Sequence, residues 1–182
     1  MKTYFKNKKI LITGNTGFKG SWLSLWMYMY GAKILGISSN IPTTPSNFHA
    51  LNLKKKITFK KIDLRDSKKI IKEIKKFQPD YIFHLAAEAI VKRAYENPKY
   101  TWETNTFGTI NILEALNSLK KKVVAIIITS DKVYKNLEIN RGYKESDILG
   151  GLDPYSASKA AADLSVQSYF QTIFKKKKNI RI

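Results

Sequence analysis

The chain has 182 residues, of which 43% are hydrophobic and 12% aromatic, so it is long and apolar enough for one domain with its own core. This composition excludes a largely disordered chain. Because there is no cysteine, disulfides and thiolate metal sites are excluded, and no metal is expected. We expect neither a membrane span nor a signal peptide, because no apolar run has the required length. The expected location is the cytoplasm.

The net charge of +19 at pH 7 is unusually basic and raises nucleic acid as a partner. The charge is mostly lysine, spread over every segment and clustered only in short runs at residues 54–56, 120–122 and 175–178. Arginines that could read base edges are few. We therefore interpret the charge as a solvated lysine-rich surface, and we expect neither nucleic acid nor a membrane as a partner.

Apolar runs of strand length alternate with helix-periodic stretches along the whole chain. The runs predict five strands, at residues 9–13, 33–37, 57–62, 81–85 and 123–128. Residues 180–182 resemble the opening of a sixth strand. The run at 123–128, VVAIII, is typical of a strand that is buried on both faces.

Helices are predicted between these strands from apolar spacing and from end signals. The first helix ends at Gly31 and has apolar residues at helical spacing, namely Phe18, Trp22, Leu25 and Met29. The next has Asp66 as its predicted N-cap and an apolar face of Ile70, Ile71, Ile74 and Phe77. Pro98 opens a helix with apolar positions at Phe107, Ile110, Leu113 and Leu116. Asp153 and Pro154 begin the last long helix.

Repeated strand–helix alternation predicts an α/β fold with a doubly wound, Rossmann-like parallel sheet. We expect one dinucleotide-binding domain over residues 1–182, truncated after the start of its sixth strand and lacking a C-terminal substrate domain. Such sheets bind ligands at the carboxyl ends of their strands, so functional residues should directly follow the apolar runs. The longest irregular segment, residues 38–48, is a loop of a length that is often functional.

A glycine-rich turn follows the first predicted strand, with Gly14, Gly17 and Gly20 spaced three residues apart. Glycine permits a tight turn and lets the backbone approach a pyrophosphate, which the free N–H groups at the helix start can bind. Since a strand precedes the motif and a helix follows it, we predict a dinucleotide site that also includes Thr16 and Phe18. The alternative is that the glycines serve only the turn.

Tyr155 and Lys159 are four residues apart in the last predicted helix, so their side chains share one helical face. A tyrosine hydroxyl is a poor base at neutral pH, but a neighbouring ammonium favours the phenolate. The pair can then take a hydroxyl proton while hydride leaves the adjacent carbon. Because this spacing is also common by chance, the alternative is that both residues are surface side chains.

The polar segment TSDK, at residues 129–132, ends the fifth predicted strand. Its hydroxyl, carboxylate and ammonium groups should meet at the carboxyl edge of the sheet. We predict that Ser130, Asp131 and Lys132 are catalytic together with the tyrosine–lysine pair. The alternative is a turn in which the serine and aspartate bond only their own backbone.

Smaller features follow the other strands. Asp63, with Leu64 beside it, can bond an adenine amino group; its alternative role is in a turn. Asn105 can brace the strand ends or be exposed on its helix, and His84 is expected to be a packed strand histidine. The residues that would let a cofactor pass close to the fourth strand are Leu85, Ala86 and Ala87.

Together these motifs resemble the extended short-chain dehydrogenase/reductase family, which includes the NAD-dependent epimerases and dehydratases, over essentially the whole chain. Four segments are similar in particular to the CDP-glucose 4,6-dehydratase family. They are residues 13–38 with the run FKGSW, the proline–threonine loop at 42–46 with Phe48, TSDK at 129–132, and GGLDPYSASKAAAD at 150–163.

The resemblance implies an NAD-dependent hydro-lyase that converts the nucleotide sugar CDP-glucose to CDP-4-keto-6-deoxyglucose in deoxysugar biosynthesis. Tyr155 would take the proton of the C4 hydroxyl as hydride passes to NAD, and Ser130 would bond the C4 oxygen. Asp131 and Lys132 would be the acid and base for loss of water across C5 and C6, before hydride returns to C6. A homo-oligomer is compatible with the sequence.

Two positions depart from the family pattern. No acidic residue ends the second strand, where residues 37–40 stand in place of the aspartate that binds ribose hydroxyls in many NAD enzymes. This departure bears on the choice between NAD and NADP. Glu88 stands where glutamine is expected, near the nicotinamide or the sugar.

Two other classes of function are compatible with part of the sequence. The first is another member of the superfamily, such as a nucleotide-sugar epimerase or a GDP- or dTDP-sugar dehydratase, which the TSDK and proline–threonine segments disfavour. The second is a non-catalytic dinucleotide-binding or nucleic-acid-binding domain, which would need no combination of Ser130, Tyr155 and Lys159. Residues 1–182 alone are expected to be inactive.

Overall fold

The computed structural model describes residues 2–182, so Met1, where the predicted domain begins, lies outside the described residues. The strands form one parallel sheet in the order β3-β2-β1-β4-β5-β6. Their bounds are β1 (Lys9–Thr13), β2 (Lys33–Ser38), β3 (Thr58–Lys61), β4 (Tyr81–His84), β5 (Val123–Ile127) and β6 (Ile180–Arg181). The strand order reverses between β1 and β4, which confirms the predicted doubly wound fold.

The helices connect these strands. They are α1 (Lys2–Phe5), α2 (Phe18–Met29), α3 (Asn47–Ala50), α4 (Ser67–Phe77), α5 (Val91–Glu96), α6 (Pro98–Trp102), α7 (Gly108–Asn117) and α8 (Pro154–Thr172). A π-helical turn at Glu103–Phe107 joins α6 to α7, and 3-10 turns lie at Leu53–Lys55, Asp131–Val133 and Phe174–Lys176. Among residues 2–182, no helix has both the length and the apolar character needed to cross a membrane.

The sheet separates two hydrophobic cores. Leu11 of β1 packs in the core that also contains Ile74 of α4 and Leu113 of α7. Ile10, the preceding residue of β1, packs in the other core with Met27 of α2. Successive strand residues point to opposite faces, so both faces of β1 are buried. Burial of this central strand holds its carboxyl end, where the glycine turn begins, in a rigid position.

Local capping places two helix starts where the sequence predicts them. Asp66 accepts a hydrogen bond from the backbone N–H of Lys69 at 3.0 Å, and Asp153 accepts one from that of Ser156 at 3.0 Å. Each side chain satisfies an N–H group that has no partner inside its helix, which stabilises a helix by about 1 kcal/mol. The second cap positions α8, which carries Tyr155.

Three of the four apolar residues that predict α2 face solvent rather than the sheet, and the fourth, Leu25, is partly buried against the core. Phe18, Trp22 and Met29 are 73%, 49% and 67% exposed. The buried residues of this helix are Gly20, Ser21, Ser24 and Met27. A Cβ atom on Gly20 would lie 2.1 Å from the carbonyl oxygen of Gly14, so only glycine lets the helix pack this close to the turn. The apolar spacing that predicts α2 therefore does not mark its buried face.

The helix that opens at Pro98 is interrupted, unlike the continuous helix predicted. The π-helical turn holds more residues than an α-helical turn, so it changes which positions face the core. Phe107, one of the predicted apolar positions, is 58% exposed, whereas Leu113 and Leu116 are fully buried. The short helix α5 was not predicted, because its six residues are too few to show an apolar period.

The prediction that residues 123–128 are buried on both faces is wrong. Val123 and Ala125 are buried in the core that contains α7, whereas Val124 and Ile126 on the opposite face stay partly exposed. On that opposite face, α2 packs against β1 and β2. Val124 and Ile126 therefore lie on a sheet face that the described helices cover only in part.

Candidate active site

The glycine turn packs against the segment that follows β4. Gly14 has a φ of +71°, in the left-handed region that favours glycine. A Cβ atom at this position would lie 2.8 Å from the backbone nitrogen of Ala86 and 2.9 Å from its Cα. The turn and the β4 end therefore form one surface of closely packed backbone, at the strand edge where ligands bind in such sheets.

The start of α2 is open to an anion. Gly17 is the N-cap and supplies no side-chain hydrogen bond to the helix. The first N–H groups of a helix lack intrahelical partners, and together with the helix dipole they favour a phosphate group. Bare backbone beside these donors fits a pyrophosphate, and a Cβ atom at position 14 or 20 would clash with the backbone that shapes the turn. Phe18 begins α2 with its ring exposed.

Thr16 links the glycine turn to the end of β2. Its Oγ1 donates to the carbonyl oxygen of Asn40 at 2.6 Å, and its backbone N–H donates to Ser38 Oγ at 3.3 Å. Ser38 Oγ in turn donates to Asn15 Oδ1 at 2.9 Å. Neutral hydroxyl and amide groups thus stand where many NAD enzymes place a carboxylate. The missing acid is evident from the sequence, whereas this network is not.

Asp63 lies after β3 and is held by Arg65. The guanidinium donates to both carboxylate oxygens, at 3.0 and 2.8 Å, and also reaches Glu103 in the π-helical turn at 3.2 Å. Hydrogen bonding to Arg65 lowers the pKa of Asp63 below its usual value. The carboxylate is thus ionised and can accept from an amino group. Leu64, in contrast, is buried in the core.

The segment after β4 is braced by Asn105 of the π-helical turn, which is 1% exposed. Asn105 Oδ1 accepts from the backbone N–H of Glu88 at 2.7 Å, and its Nδ2 donates to the Glu88 carbonyl at 3.1 Å. The side chain therefore acts as a backbone-like bridge to the residue after Ala86 and Ala87. This placement agrees with a bracing role for Asn105 rather than an exposed position on its helix.

The same asparagine is bonded to the helix that carries Tyr155. Its Nδ2 also lies 3.0 Å from Ser158 Oγ, and Ser158 Oγ donates to the Tyr155 carbonyl at 2.8 Å. Ser158 was not predicted as a site residue, although its position three residues after Tyr155 on one helix was a usable signal. Thus a chain of hydrogen bonds runs from the end of β4 to the first turn of α8.

Lys159 lies at the end of β5, next to the TSDK segment. Its Nζ donates to the carbonyl oxygen of Ile128 at 2.6 Å, and the residue is only 5% exposed. Burial lowers the pKa of Lys159 to about 8. Tyr155 lies one turn earlier on the same helix and is partly buried. The structure therefore excludes the alternative in which both residues are surface side chains.

Ser130 is partly buried, whereas Asp131 and Lys132 are exposed at the same edge. Ser130 Oγ accepts from the backbone N–H of Lys132 at 3.2 Å and donates to Asp131 Oδ1 at 3.1 Å. The serine thus bonds the local backbone as the alternative proposed, whereas the Asp131 carboxylate bonds the serine hydroxyl. These hydrogen bonds leave the Lys132 ammonium and one oxygen of the Asp131 carboxylate available to a substrate.

A separate hollow of about 250 Å³ lies at the amino ends of the strands, lined by Lys8, Asp80, Lys122, Lys178 and Arg181 among others. Asp80 there is paired with Lys121 at 2.7 Å and accepts from the backbone N–H of Lys9 at 2.8 Å. Because its carboxylate is engaged and it lies at the opposite end of the sheet from the glycine turn, this hollow is not the candidate site.

A family model described as GDP-mannose 4,6 dehydratase matches residues 11–176. The CDP-glucose 4,6-dehydratase of Salmonella typhimurium is 39% identical over 173 residues, which are 95% of this chain and 48% of that enzyme. The CDP-paratose 2-epimerase of Salmonella typhi is 31% identical over 88% of this chain and 52% of the epimerase. These matches confirm the predicted family resemblance.

A solved structure of a related enzyme has the same fold. A dTDP-glucose 4,6-dehydratase from Streptomyces venezuelae, crystallised with NAD bound, is 27% identical and superposes with a TM-score of 0.76. The superposition covers 91% of this chain and 52% of that one. The chain spans about half the length of the curated relatives it matches.

Proposed function

The chain belongs to the GDP-mannose 4,6 dehydratase family, and we propose that it forms the NAD-binding half of a CDP-glucose 4,6-dehydratase. The choice of sugar nucleotide rests on the 39% identity to the Salmonella typhimurium enzyme and on the TSDK and proline–threonine segments. The proposed location is the cytoplasm.

We assign the cofactor site to the carboxyl edge around β1. The turn from Gly14 to Gly20 and the first N–H groups of α2 would hold the pyrophosphate, and Asp63 would accept from the adenine amino group. The backbone of Ala86 and Ala87 would line the remaining path. NAD, when bound, supplies the oxidation at C4 of the sugar and the hydride returned at C6. Its presence in the Streptomyces venezuelae relative supports this assignment.

We assign proton transfer to the edge formed by β5 and α8. Tyr155 would accept the proton of the C4 hydroxyl, and Lys159 would supply positive charge one helical turn away. Ser130 would donate a hydrogen bond to the C4 oxygen. Asp131 and Lys132 would serve as acid and base for loss of water across C5 and C6.

One observation carries this proposal, namely the hydrogen bond from Lys159 Nζ to the Ile128 carbonyl. It holds the turn of α8 that bears Tyr155 against the end of β5, two residues before Ser130. A dinucleotide-binding domain without chemistry would not need a buried lysine at this position, because burying an ammonium destabilises the fold.

The test uses the complete natural polypeptide in which these residues occur, incubated with NAD and CDP-glucose. We expect a 4-keto-6-deoxy sugar, which is detected by its absorbance in alkali. Parallel reactions with dTDP-glucose, UDP-glucose and GDP-mannose measure the substrate preference. Faster turnover of one of these would replace CDP-glucose as the substrate, and epimer formation without loss of water would favour the epimerase alternative that the CDP-paratose 2-epimerase match raises.

Cofactor choice needs its own measurement, because neutral groups end β2. No arginine stands close after that strand to hold a 2′-phosphate. We therefore expect NAD to bind more tightly than NADP when each is titrated against the protein. Clearly tighter binding of NADP would contradict the assignment.

We further propose that turnover needs residues beyond these 182, as in relatives of about twice the length. The partly exposed face at Val124 and Ile126 supports a further covering segment. Positioning a substrate can lower a barrier by about 7–11 kcal/mol, and a missing substrate clamp forfeits much of that. Dehydratase activity from purified residues 1–182, above that of a Tyr155→Phe control, would overturn this proposal.

A further inference from the structure

His84 is buried between two threonine hydroxyls at the end of β4. It lies beside Thr13 of β1 in the sheet register and is 2% exposed. Its Nδ1 is 2.7 Å from Thr13 Oγ1, and its Nε2 is 3.1 Å from Thr109 Oγ1. Both threonines are buried as well. Each ring nitrogen therefore has one hydroxyl partner and no access to solvent.

The direction of these hydrogen bonds follows from their outer partners. Thr109 Oγ1 lies 2.7 Å from the carbonyl oxygen of Asn105, which can only accept, so the Thr109 proton points there. Thr109 must then accept from Nε2–H of His84. At the other side, Thr13 Oγ1 accepts from the backbone N–H of Ala86 at 3.2 Å and has its own proton free to donate to Nδ1. The ring is thus a neutral Nε2–H tautomer.

The two ends of this chain of hydrogen bonds bracket one short segment. The Thr13 end holds the N–H of Ala86, which packs against Gly14. The Thr109 end holds the carbonyl of Asn105, whose side chain bonds both backbone groups of Glu88. Residues 85–88 are therefore enclosed in a ring of hydrogen bonds that closes through the His84 imidazole.

We propose that His84 is a positioning residue, which sets residues 85–88 at the height over the glycine turn that the dinucleotide requires. The inference rests on the proposed function, because that function assigns the segment to the cofactor. A packed histidine would only fill space. His84 instead connects Thr13 to Asn105 by hydrogen bonds through Thr109. Asn105 is in turn connected through Ser158 to the Tyr155 carbonyl.

Single substitutions can open the ring at either end without a change of shape. Thr13→Val removes the contact toward Ala86, and Thr109→Val removes the contact toward Asn105. Thr101→Val is the matched control, because Thr101 is also fully buried in this helical region and bonds only the Asn97 carbonyl. We expect the first two variants to weaken NAD binding by about 10-fold to 100-fold, as small misplacements at such sites do, and the control to leave it unchanged.

Substitution of the histidine itself tests the two contacts separately. His84→Asn keeps an acceptor toward Thr13, His84→Gln keeps a donor toward Thr109, and His84→Leu keeps neither. We expect the two amide variants to retain part of the NAD affinity and the leucine variant to lose most of it. A role in packing alone predicts that NAD affinity does not follow the number of contacts kept, as long as the variants remain folded.

Two measurements do not depend on NAD. The ¹⁵N spectrum of the imidazole should show the neutral Nε2–H tautomer. The amide proton of Glu88, which is bonded to Asn105, should exchange faster in Thr109→Val than in Thr101→Val at equal global stability. An Nδ1–H tautomer, or unchanged Glu88 exchange, would overturn the inference.

These outcomes separate the two proposals. If the unsubstituted protein binds no dinucleotide, the proposed function fails, and the tautomer and the Glu88 exchange still decide the role of His84. If the protein binds NAD and the ring variants bind it equally well while folded, the proposed function stands and the positioning role is wrong.

Discussion

The ammonium of Lys159 donates a 2.6 Å hydrogen bond to the carbonyl oxygen of Ile128, the residue directly after β5. The bond fixes the start of α8 against the sheet, and it requires a charged group with only 5% exposure. Burial lowers the pKa of Lys159 from 10.5 to about 8, so the ammonium opposes folding at neutral pH. The catalytic role proposed for Lys159 and the stability of the fold therefore conflict at this residue.

Lys159→Met should stabilise the protein at pH 7 while abolishing turnover. The lowered pKa of Lys159 means that the buried ammonium destabilises the folded protein by about 3 kcal/mol, and the substitution removes this cost. The substitution also removes the hydrogen bond to Ile128, which reduces the net stabilisation by about 1–2 kcal/mol. The folded wild type releases this proton near pH 8 and its unfolded chain near 10.5, so the wild type gains stability as the pH rises between those values. The stability difference between the methionine variant and the wild type should therefore shrink over that range. Urea unfolding at several pH values measures it, with exposed Lys72→Met as the control. A less stable variant at pH 7 contradicts the argument.

Tyr155→Phe should keep the fold and NAD binding and lose most turnover. Removal of a positioned acid or base typically lowers a rate by about 10²–10⁴. The matched control is Tyr169→Phe on the same helix, since the Tyr169 hydroxyl bonds Glu114 far from the site, at 2.6 Å. Steady-state kinetics of the complete polypeptide compare the two. Near-normal activity of Tyr155→Phe at neutral pH would remove this residue from the mechanism.

Lys132→Met should slow loss of water more than hydride transfer. Oxidation at C4 is assigned to Tyr155 and Lys159, whereas elimination needs a group acting at C5 or C6. Enzyme-bound NADH should therefore accumulate in a single turnover followed by stopped-flow absorbance. Lys135→Met, which removes an exposed lysine three residues later, is the control. Equal slowing of both steps would assign Lys132 to general positioning.

His84 should make the protein sensitive to acid. Burial, together with the charge of Lys159, lowers the pKa of His84 from 6.5 to about 3. Below pH 6.5 the unfolded chain therefore binds a proton at this histidine, whereas the folded protein does not. The free energy of unfolding should fall by up to about 5 kcal/mol as the pH drops from 6.5 toward 3. His84→Gln should lose this component of the pH profile, and His49→Gln should keep it. Parallel profiles for the wild type and His84→Gln would contradict the assignment.

Gly14→Ala should impair dinucleotide binding and stability together. A Cβ atom at a φ of +71° is strained, and this one would also press on the Ala86 backbone at 2.8 Å. We expect a loss of about 1–3 kcal/mol of stability and at least tenfold weaker NAD binding. Gly142→Ala, where a Cβ atom would meet nothing within 4 Å, is the control. Unchanged NAD affinity in Gly14→Ala would show that the turn is not the pyrophosphate site.

The strand–helix alternation and the segments to which we assign the chemistry are both evident in the amino-acid sequence. Strand positions follow from short apolar runs, and Asp66 and Asp153 mark helix starts because their side chains bond N–H groups only three residues away. These signals depend only on neighbouring residues, so they can be recognised without knowledge of the rest of the chain. The glycine spacing and the TSDK segment are local in the same sense.

The buried faces and the contacts between distant residues are evident only in the folded chain. The aromatic residues of α2 face solvent because Gly20 and two serines bring that helix down onto the glycine turn. The π-helical turn that directs the Asn105 side chain to Glu88 has no periodic apolar pattern in the sequence from which it could be predicted. The contacts of His84 and Lys159 join strand ends to helices 25 and 31 residues away, so no local pattern specifies them. Burial and hydrogen-bond satisfaction are properties of the packed chain, and they alone set the geometry of this site.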